Sequence, residues 1–236
     1  MTEAVVFDLD GVLLDSEQVW DEVREKLARE RGGRWHEQAQ QDMMGMSSPE
    51  WSRYMHDVIG LREPPEEINA AVVERMLARY GSAPPLIPGA VDAVRRIGAS
   101  WPLAIASSSN PELIEVVLRV SGLDASFRAT VSSQEVPRGK PAPDVFLEAA
   151  RRLGVAPERC AVVEDSANGI LAGRAAGMRV VAIPNPHFPP GEEALAAADV
   201  VLRSLDELTA SSVAGGASGT DRQVISDGRA GEARTS

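Results

Sequence analysis

Two textures of hydrophobic pattern divide the chain. Ala4, Val5, Val6 and Phe7 form an unbroken apolar run, and this run predicts a buried strand. From Ser16 to Gly33 the apolar positions Val19, Trp20, Val23 and Leu27 recur at helical spacing. Ser16 stands where an N-cap belongs and Gly32-Gly33 provides the stop. Residues 36–81 continue the helical pattern. Ser48-Pro49 predicts one helix start, and "PPEEINAAVVERMLARYG" predicts a further helix ending at Gly81. The Pro-rich stretch "SAPPLIPG" then reads as a connector.

After Pro88 short apolar runs alternate with amphipathic ones. "PLAIAS" (102–107), "RATVSS" (128–133), "CAVVED" (160–165) and "MRVVAI" (178–183) predict strands. "GAVDAVRRIG", "PELIEVVLRVSG", "PAPDVFLEAARRLG" and "SANGILAGRAAG" predict helices beside them. Such alternation implies a parallel sheet covered by helices on both faces. The expected fold is therefore α/β: a Rossmann-like core made of residues 1–15 and 83–208, with an all-helical domain inserted at 16–82. Residues 209–236 carry no period and are expected to be a disordered tail. Gly169, Gly173 and Gly177 form a stripe of small residues, read as close packing of a helix on the sheet because Arg174 and the short helix do not suit a membrane.

Composition narrows the partners. A chain of 236 residues, 44% hydrophobic and 25% charged, is ordinary for a soluble globular protein. Its net charge of -11 offers no attraction to nucleic acid or to an anionic membrane, so neither is expected as a partner. Glu3, Asp8 and Asp10 interrupt the first apolar stretch, so it does not read as a signal peptide. Cys160 is the single cysteine, which forbids an intrachain disulfide and suits a reducing, cytoplasmic setting. A monomer is expected.

The chemistry gathers at strand ends. In parallel α/β sheets ligands bind beyond the carboxyl ends of the strands. Asp8 and Asp10 follow the first predicted strand, and Ser107, Ser108, Ser109 and Asn110 end the second. Lys140 precedes a helix, and Glu164 and Asp165 end the strand from Cys160. Each has a mundane reading as a cap, turn or solvated residue. Together they bring several carboxylates to one edge, where a hard divalent cation such as Mg²⁺ would balance them. Mg²⁺ held by one or two carboxylates usually shares its shell with a substrate phosphate, and Ser hydroxyls and Lys suit the remaining phosphate oxygens. There is no GxGxxG for a dinucleotide and no GxSxG elbow, and His36, His56 and His187 lie away from these segments.

"FDLDGVLLDS", "ASSSN", "GKPAPD" and "VVEDSANGI" resemble, in order and placement, the four signatures of the haloacid dehalogenase (HAD) superfamily. The likeness is greatest to its phosphatase and β-phosphoglucomutase-like branch, in which a helical cap follows the first strand. The resemblance implies that Asp8 is a nucleophile forming an aspartyl-phosphate, and that Asp10 is the acid/base, binding the metal through its backbone carbonyl. It implies that Ser107 and Lys140 hold the phosphoryl group, with Ser108 and Asn110 in the same substrate-binding loop. It implies an Mg²⁺ site of Asp8, Asp10, Asp165 and Glu164, the last as ligand or supporting partner. The cap loop "MMGMSSPEW" would meet the substrate around Gly45 and Ser47. Sugar-phosphate mutases of this branch place cations beside that glycine, a His where this chain has Trp20, and a Lys where it has Asn110. The expected activity is thus Mg²⁺-dependent hydrolysis of a small phosphorylated metabolite. A mutase using Arg53 or another cap cation, and a silent phosphate binder, remain as alternatives.

Overall fold

All four residues of the first strand, β1 (Ala4–Phe7), are fully buried in the computed structural model, which describes residues 1–43, 46–186 and 188–215. β1 lies between β2 (Leu103–Ser107) and β4 (Cys160–Glu164), paired in parallel with both. With β3 (Phe127–Ser132), β5 (Arg179–Ala182) and β6 (Val200–Val201) the parallel sheet runs in the order β3-β2-β1-β4-β5-β6. The order reverses between β1 and β4, which creates a crevice at their carboxyl ends.

The side-chain period of two sends alternate residues to opposite faces. Val5, Phe7, Leu103, Ile105, Ala161 and Val163 belong to one hydrophobic cluster; Ala4, Val6, Ala104, Ala106, Cys160 and Val162 belong to the other. The first cluster takes in α5 (Ala90–Gly98) and α6 (Pro111–Val120). The second takes in α7 (Asp144–Leu153) and α8 (Ala167–Ala175), and α9 (Glu192–Ala196) connects β5 to β6. Both faces of the strands are covered, so they read as continuous apolar runs.

Between β1 and β2 the chain is helical: α1 (Glu17–Glu30), α2 (Ala39–Met43), α3 (Ser48–Asp57) and α4 (Pro65–Tyr80). It leaves and returns on adjacent stretches of chain, where Asp15 N–H donates to Pro85 O and Ile87 N–H to Leu13 O. Trp51, Met55, Ile68, Val72 and Met76 fill the space among these helices.

Four differences from expectation have physical causes. α7 starts at Asp144, not at Pro141, because Pro143 takes the N-cap position and the residues before it make a turn. Ser47, not Ser48, caps α3, with the Glu50 carboxylate accepting from the Ser47 N–H and hydroxyl. β6 is too short to carry a sequence pattern. The expected tail begins too early: residues 209–215 fold, with Thr209 capping α10 (Ala210–Ala214) and Val213 fully buried. Thr2 Oγ1 donates to Val213 O and Arg179 Nε to Ser212 O, so this helix is docked. Residues 216–236 of the expected tail lie outside the described residues.

Candidate active site

β1 delivers Asp8 and Asp10 to the crevice because the chain leaves the sheet immediately after Phe7. The turn that follows needs Gly11. Its φ is +81°, and a Cβ there would overlap the Asp165 carboxylate. β4 delivers Glu164 and Asp165 to the same crevice, beside Lys140.

Lys140 is the hub. Its Nζ donates to Asp8 Oδ1 at 2.8 Å, to Glu164 Oε1 at 2.6 Å and to Ala106 O at 3.1 Å. Burial by itself would lower its pKa, but the carboxylates of Asp8 and Glu164 outweigh burial and hold it above the ordinary lysine range. Glu164 is fully buried with both carboxylate oxygens engaged: Oε1 takes Lys140, and Oε2 accepts from Asp165 N–H, Ser166 N–H and Ser166 Oγ. Ser166 in turn caps α8 by accepting from Gly169 N–H. The Glu164 carboxylate is thus committed to positioning Lys140 and the start of α8.

Asp8, Glu164 and Asp165 bring ligand-type oxygens within 4.8 Å of one another. Burial, opposed by Lys140, pushes Asp8 up to about 8, with Glu164 and Asp10 adding to the rise. Burial likewise holds Asp165 well above the usual carboxylate range, with Glu164 and Asp8 contributing. Three crowded buried carboxylates face one lysine. That surplus of negative oxygen donors fits a hard divalent cation.

Asp10 is held differently. Its Oδ1 accepts from Ser16 Oγ (2.6 Å) and Trp20 Nε1 (3.2 Å), and its Oδ2 from Ser109 Oγ (2.7 Å) and Ser107 Oγ (3.2 Å). Ser16 therefore spends its hydroxyl on Asp10, and α1 has no side-chain cap. Four donors from two parts of the chain fix the carboxyl over a cavity of about 270 Å³. Asp8, Asp10, Lys140 and Asp165 line its sheet end; Trp20, Arg24, Met43, Met46 and Trp51 line its helical end.

A family model for haloacid dehalogenase-like hydrolases matches residues 2–177. The chain belongs to the haloacid dehalogenase-like hydrolases. Hexitol phosphatase B of Escherichia coli K12 is 33% identical over 231 residues, covering 90% of this chain and 96% of that protein. Fructose-1-phosphate phosphatase YqaB of the same strain is 34% identical over 181 residues, covering 75% and 94%. Among solved structures, CbbY from Rhodobacter sphaeroides, in complex with phosphate, superposes with a TM-score of 0.81 at 28% identity, covering 90% of this chain and 99% of that one.

Within this hydrolase the structure brings Asp8, Asp10, Lys140, Glu164, Asp165 and Ser108 together. Three residues expected as substrate contacts, Ser107, Asn110 and Ser47, have their side chains engaged by protein partners. Ser107 is fully buried beneath the cavity, donating to Asp10 and accepting from Ser109 N–H. Asn110 is sealed in the seam between insert and core, accepting from Ser48 Oγ (2.6 Å) and donating to Asn69 Oδ1 (3.3 Å). Ser47 spends its hydroxyl on Glu50 and packs against Gly139. Gly45 lies outside the described residues. Arg53 is exposed and does not line the cavity.

Ser109, Glu17 and Arg24, to which the sequence pattern assigns no role, also line the hydrolase's cavity. Ser109 stands in the "ASSSN" motif as a neighbour of Ser107. Glu17 and Arg24 sit on α1 among polar positions that read as a solvated face, and only the fold turns that part of the helix toward the sheet.

Proposed function

We propose that this chain is a Mg²⁺-dependent phosphomonoesterase acting on a small phosphorylated metabolite of sugar or polyol type. One observation carries the reading: an Asp8–Lys140–Glu164 ion-paired array with Asp165 beside it and Asp10 fixed two residues on by four hydrogen bonds. The phosphatase names of the relatives supply the substrate class. Residues 16–82 act as a cap over the core, and the protein works as a cytoplasmic monomer. No helix among the described residues is long and apolar enough to cross a membrane.

Asp8, Asp165 and the backbone carbonyl of Asp10 would hold the ion, with Glu164 supporting through Lys140. Bound there, Mg²⁺ opposes the charge that builds on the phosphoryl oxygens. The Asp8 oxygen not bonded to Lys140 attacks phosphorus. The bond to the leaving oxygen breaks, and that oxygen takes a proton from Asp10. Water then attacks the aspartyl-phosphate, Asp10 accepts its proton, and phosphate departs with Asp8 restored. The hydroxyls of Ser107 and Ser109 orient Asp10 throughout, and Ser108 meets the phosphoryl group from the cavity wall.

Hydrolysis of p-nitrophenyl phosphate tests the reading. Asp8→Asn removes the nucleophile, and EDTA removes the ion. Each should reduce phosphate release by about a thousandfold or more. Asp10→Asn should be severely slowed while still able to accept the phosphoryl group, and intact-mass measurement should reveal a trapped phosphoenzyme. Near wild-type release from Asp8→Asn overturns the mechanism. A mutase is the second reading, because Arg24 places a cation at the helical end of the cavity.

A further inference from the structure

Arg24 is 6% exposed and lines the cavity opposite Lys140. Its guanidinium carbon packs 4.7 Å from the centre of the Trp20 ring and 4.8 Å from that of Trp51. The two indole centres are only 6.1 Å apart, so the guanidinium sits against the pair and not between them, and neither ring supplies an acceptor, since Trp carries only a donor. Its Nε is buried with no hydrogen-bond partner among the described residues, and no ion pair is made to Glu17, Asp21 or Asp10, the acids whose charges act on it. The Nε lies below the cavity wall, with the equally unpaired Asp21 Oδ1 three residues before it on the same helix. The terminal guanidinium nitrogens are not buried and make no hydrogen bond or ion pair among the described residues, so they are what an acceptor on a ligand in the cavity can reach.

The surrounding charge limits what that ligand is. Glu17, accepting from Gln40 Nε2 at 3.2 Å, shares the cavity wall with Arg24. The helical end therefore offers one cation and one acid. A second phosphate would meet a single guanidinium with the Glu17 carboxyl beside it, and no other cation lines that end of the cavity among the described residues. A hydroxyl group both accepts and donates, so adjacent hydroxyls satisfy the Arg24 edge and the Glu17 carboxyl together. The flat indoles and Met43 and Met46 suit the CH surface of such a chain or ring.

We propose that Arg24 is the residue that selects the leaving group, donating to hydroxyl oxygens of a sugar or polyol monophosphate whose far end carries no second charge. This deepens the phosphomonoesterase reading and rests on it for the ligand's orientation, with phosphate at Lys140 and hydroxyls at α1.

The test measures binding, which separates it from turnover. Asp8→Asn protein, with and without Arg24→Met, is titrated by calorimetry in Mg²⁺ with a hexitol 6-phosphate, inorganic phosphate and fructose 1,6-bisphosphate. Met keeps an apolar stem against the indoles but donates nothing. Arg24→Met should weaken hexitol 6-phosphate binding about tenfold or more, and inorganic phosphate by less than about threefold, since one charged hydrogen bond is lost only at the far end. No detectable hexitol 6-phosphate binding by the parent, equal loss for both ligands, or no loss overturns the proposal. So does tighter binding of the bisphosphate with a larger dependence on Arg24, the result a mutase would give. If Arg24-dependent binding holds while wild-type protein releases no phosphate from any ester, the phosphatase reading fails and the assignment of Arg24 stands.

Discussion

Glu17 shows how a single residue changes character when the fold turns it inward. Burial first, and the charge of Asp10 second, push its carboxyl up to about 7, with Arg24 opposing and Asp15 adding slightly. A raised folded-state pKa favours the protonated fold. Below the unfolded pKa the contribution is complete, and as pH climbs toward 7 the unfolded chain ionises while the folded one keeps its proton. Stability is therefore lost across that window. Glu17→Gln cannot ionise and should lack this loss. Between pH 4.5 and pH 8 the wild type should fall relative to Glu17→Gln by about 2 kcal/mol, less than the full shift implies because the cavity admits water. Urea unfolding of both proteins at the two pH values checks it; parallel pH profiles would refute the assignment.

At the scale of elements, α8 owes its position to the absence of side chains. Gly173 lets it approach Val180 and Val162, and at Gly169 any Cβ would overlap the Glu164 carboxylate. The small-residue stripe is thus partly about packing on the sheet and partly about space for a charged group. Gly169→Ala should displace Glu164 and loosen its pair with Lys140, leaving an imperfectly compensated buried charge. Expected are a loss of about 3 kcal/mol in stability and at least a tenfold fall in p-nitrophenyl phosphate turnover. Gly177→Ala is the control for backbone strain alone: it lies just past the helix C-terminus, its φ is +73°, and an added Cβ would meet nothing within 4 Å. Equal turnover in the two variants would show that Glu164 is not the cause.

At the scale of the molecule, the N- and C-terminal portions are tied together. Val213 is buried, Thr2 bonds to its carbonyl, and Arg96 donates to the carbonyls of Leu205 and Leu208. Truncation after Gly215 should leave the melting temperature unchanged. Truncation after Leu208 removes α10 and should cost about 2 kcal/mol, the burial of one valine with its associated bonds. Thermal unfolding of the two truncated chains distinguishes them, and an equal effect would show that α10 contributes nothing.

The α/β alternation, the helical insertion and the acids at the strand ends were legible in the sequence. Parallel strands buried on both faces must be apolar throughout, and carboxylates placed just beyond them interrupt that pattern visibly. Segments such as β6 and α10 were not legible, because a few residues carry no period and Val213 gains meaning only once β5 and Thr2 surround it. The present partners of Ser107, Asn110 and Ser47 were not legible for a related reason. Residue type announces a hydrogen-bonding group, but only the assembled structure decides whether its partner is a neighbour, such as Asp10, Ser48 or Glu50, or the contents of a cavity. Arg24 is the converse case: on the helix it is one more charge, and only the fold sets it against two indoles at the cavity wall with no hydrogen bond or ion pair among the described residues. Local pattern determined which elements form and where charge is concentrated. Long-range packing determined which of those charges were left unpaired, because burial, not composition, sets the cost of an unmet hydrogen bond.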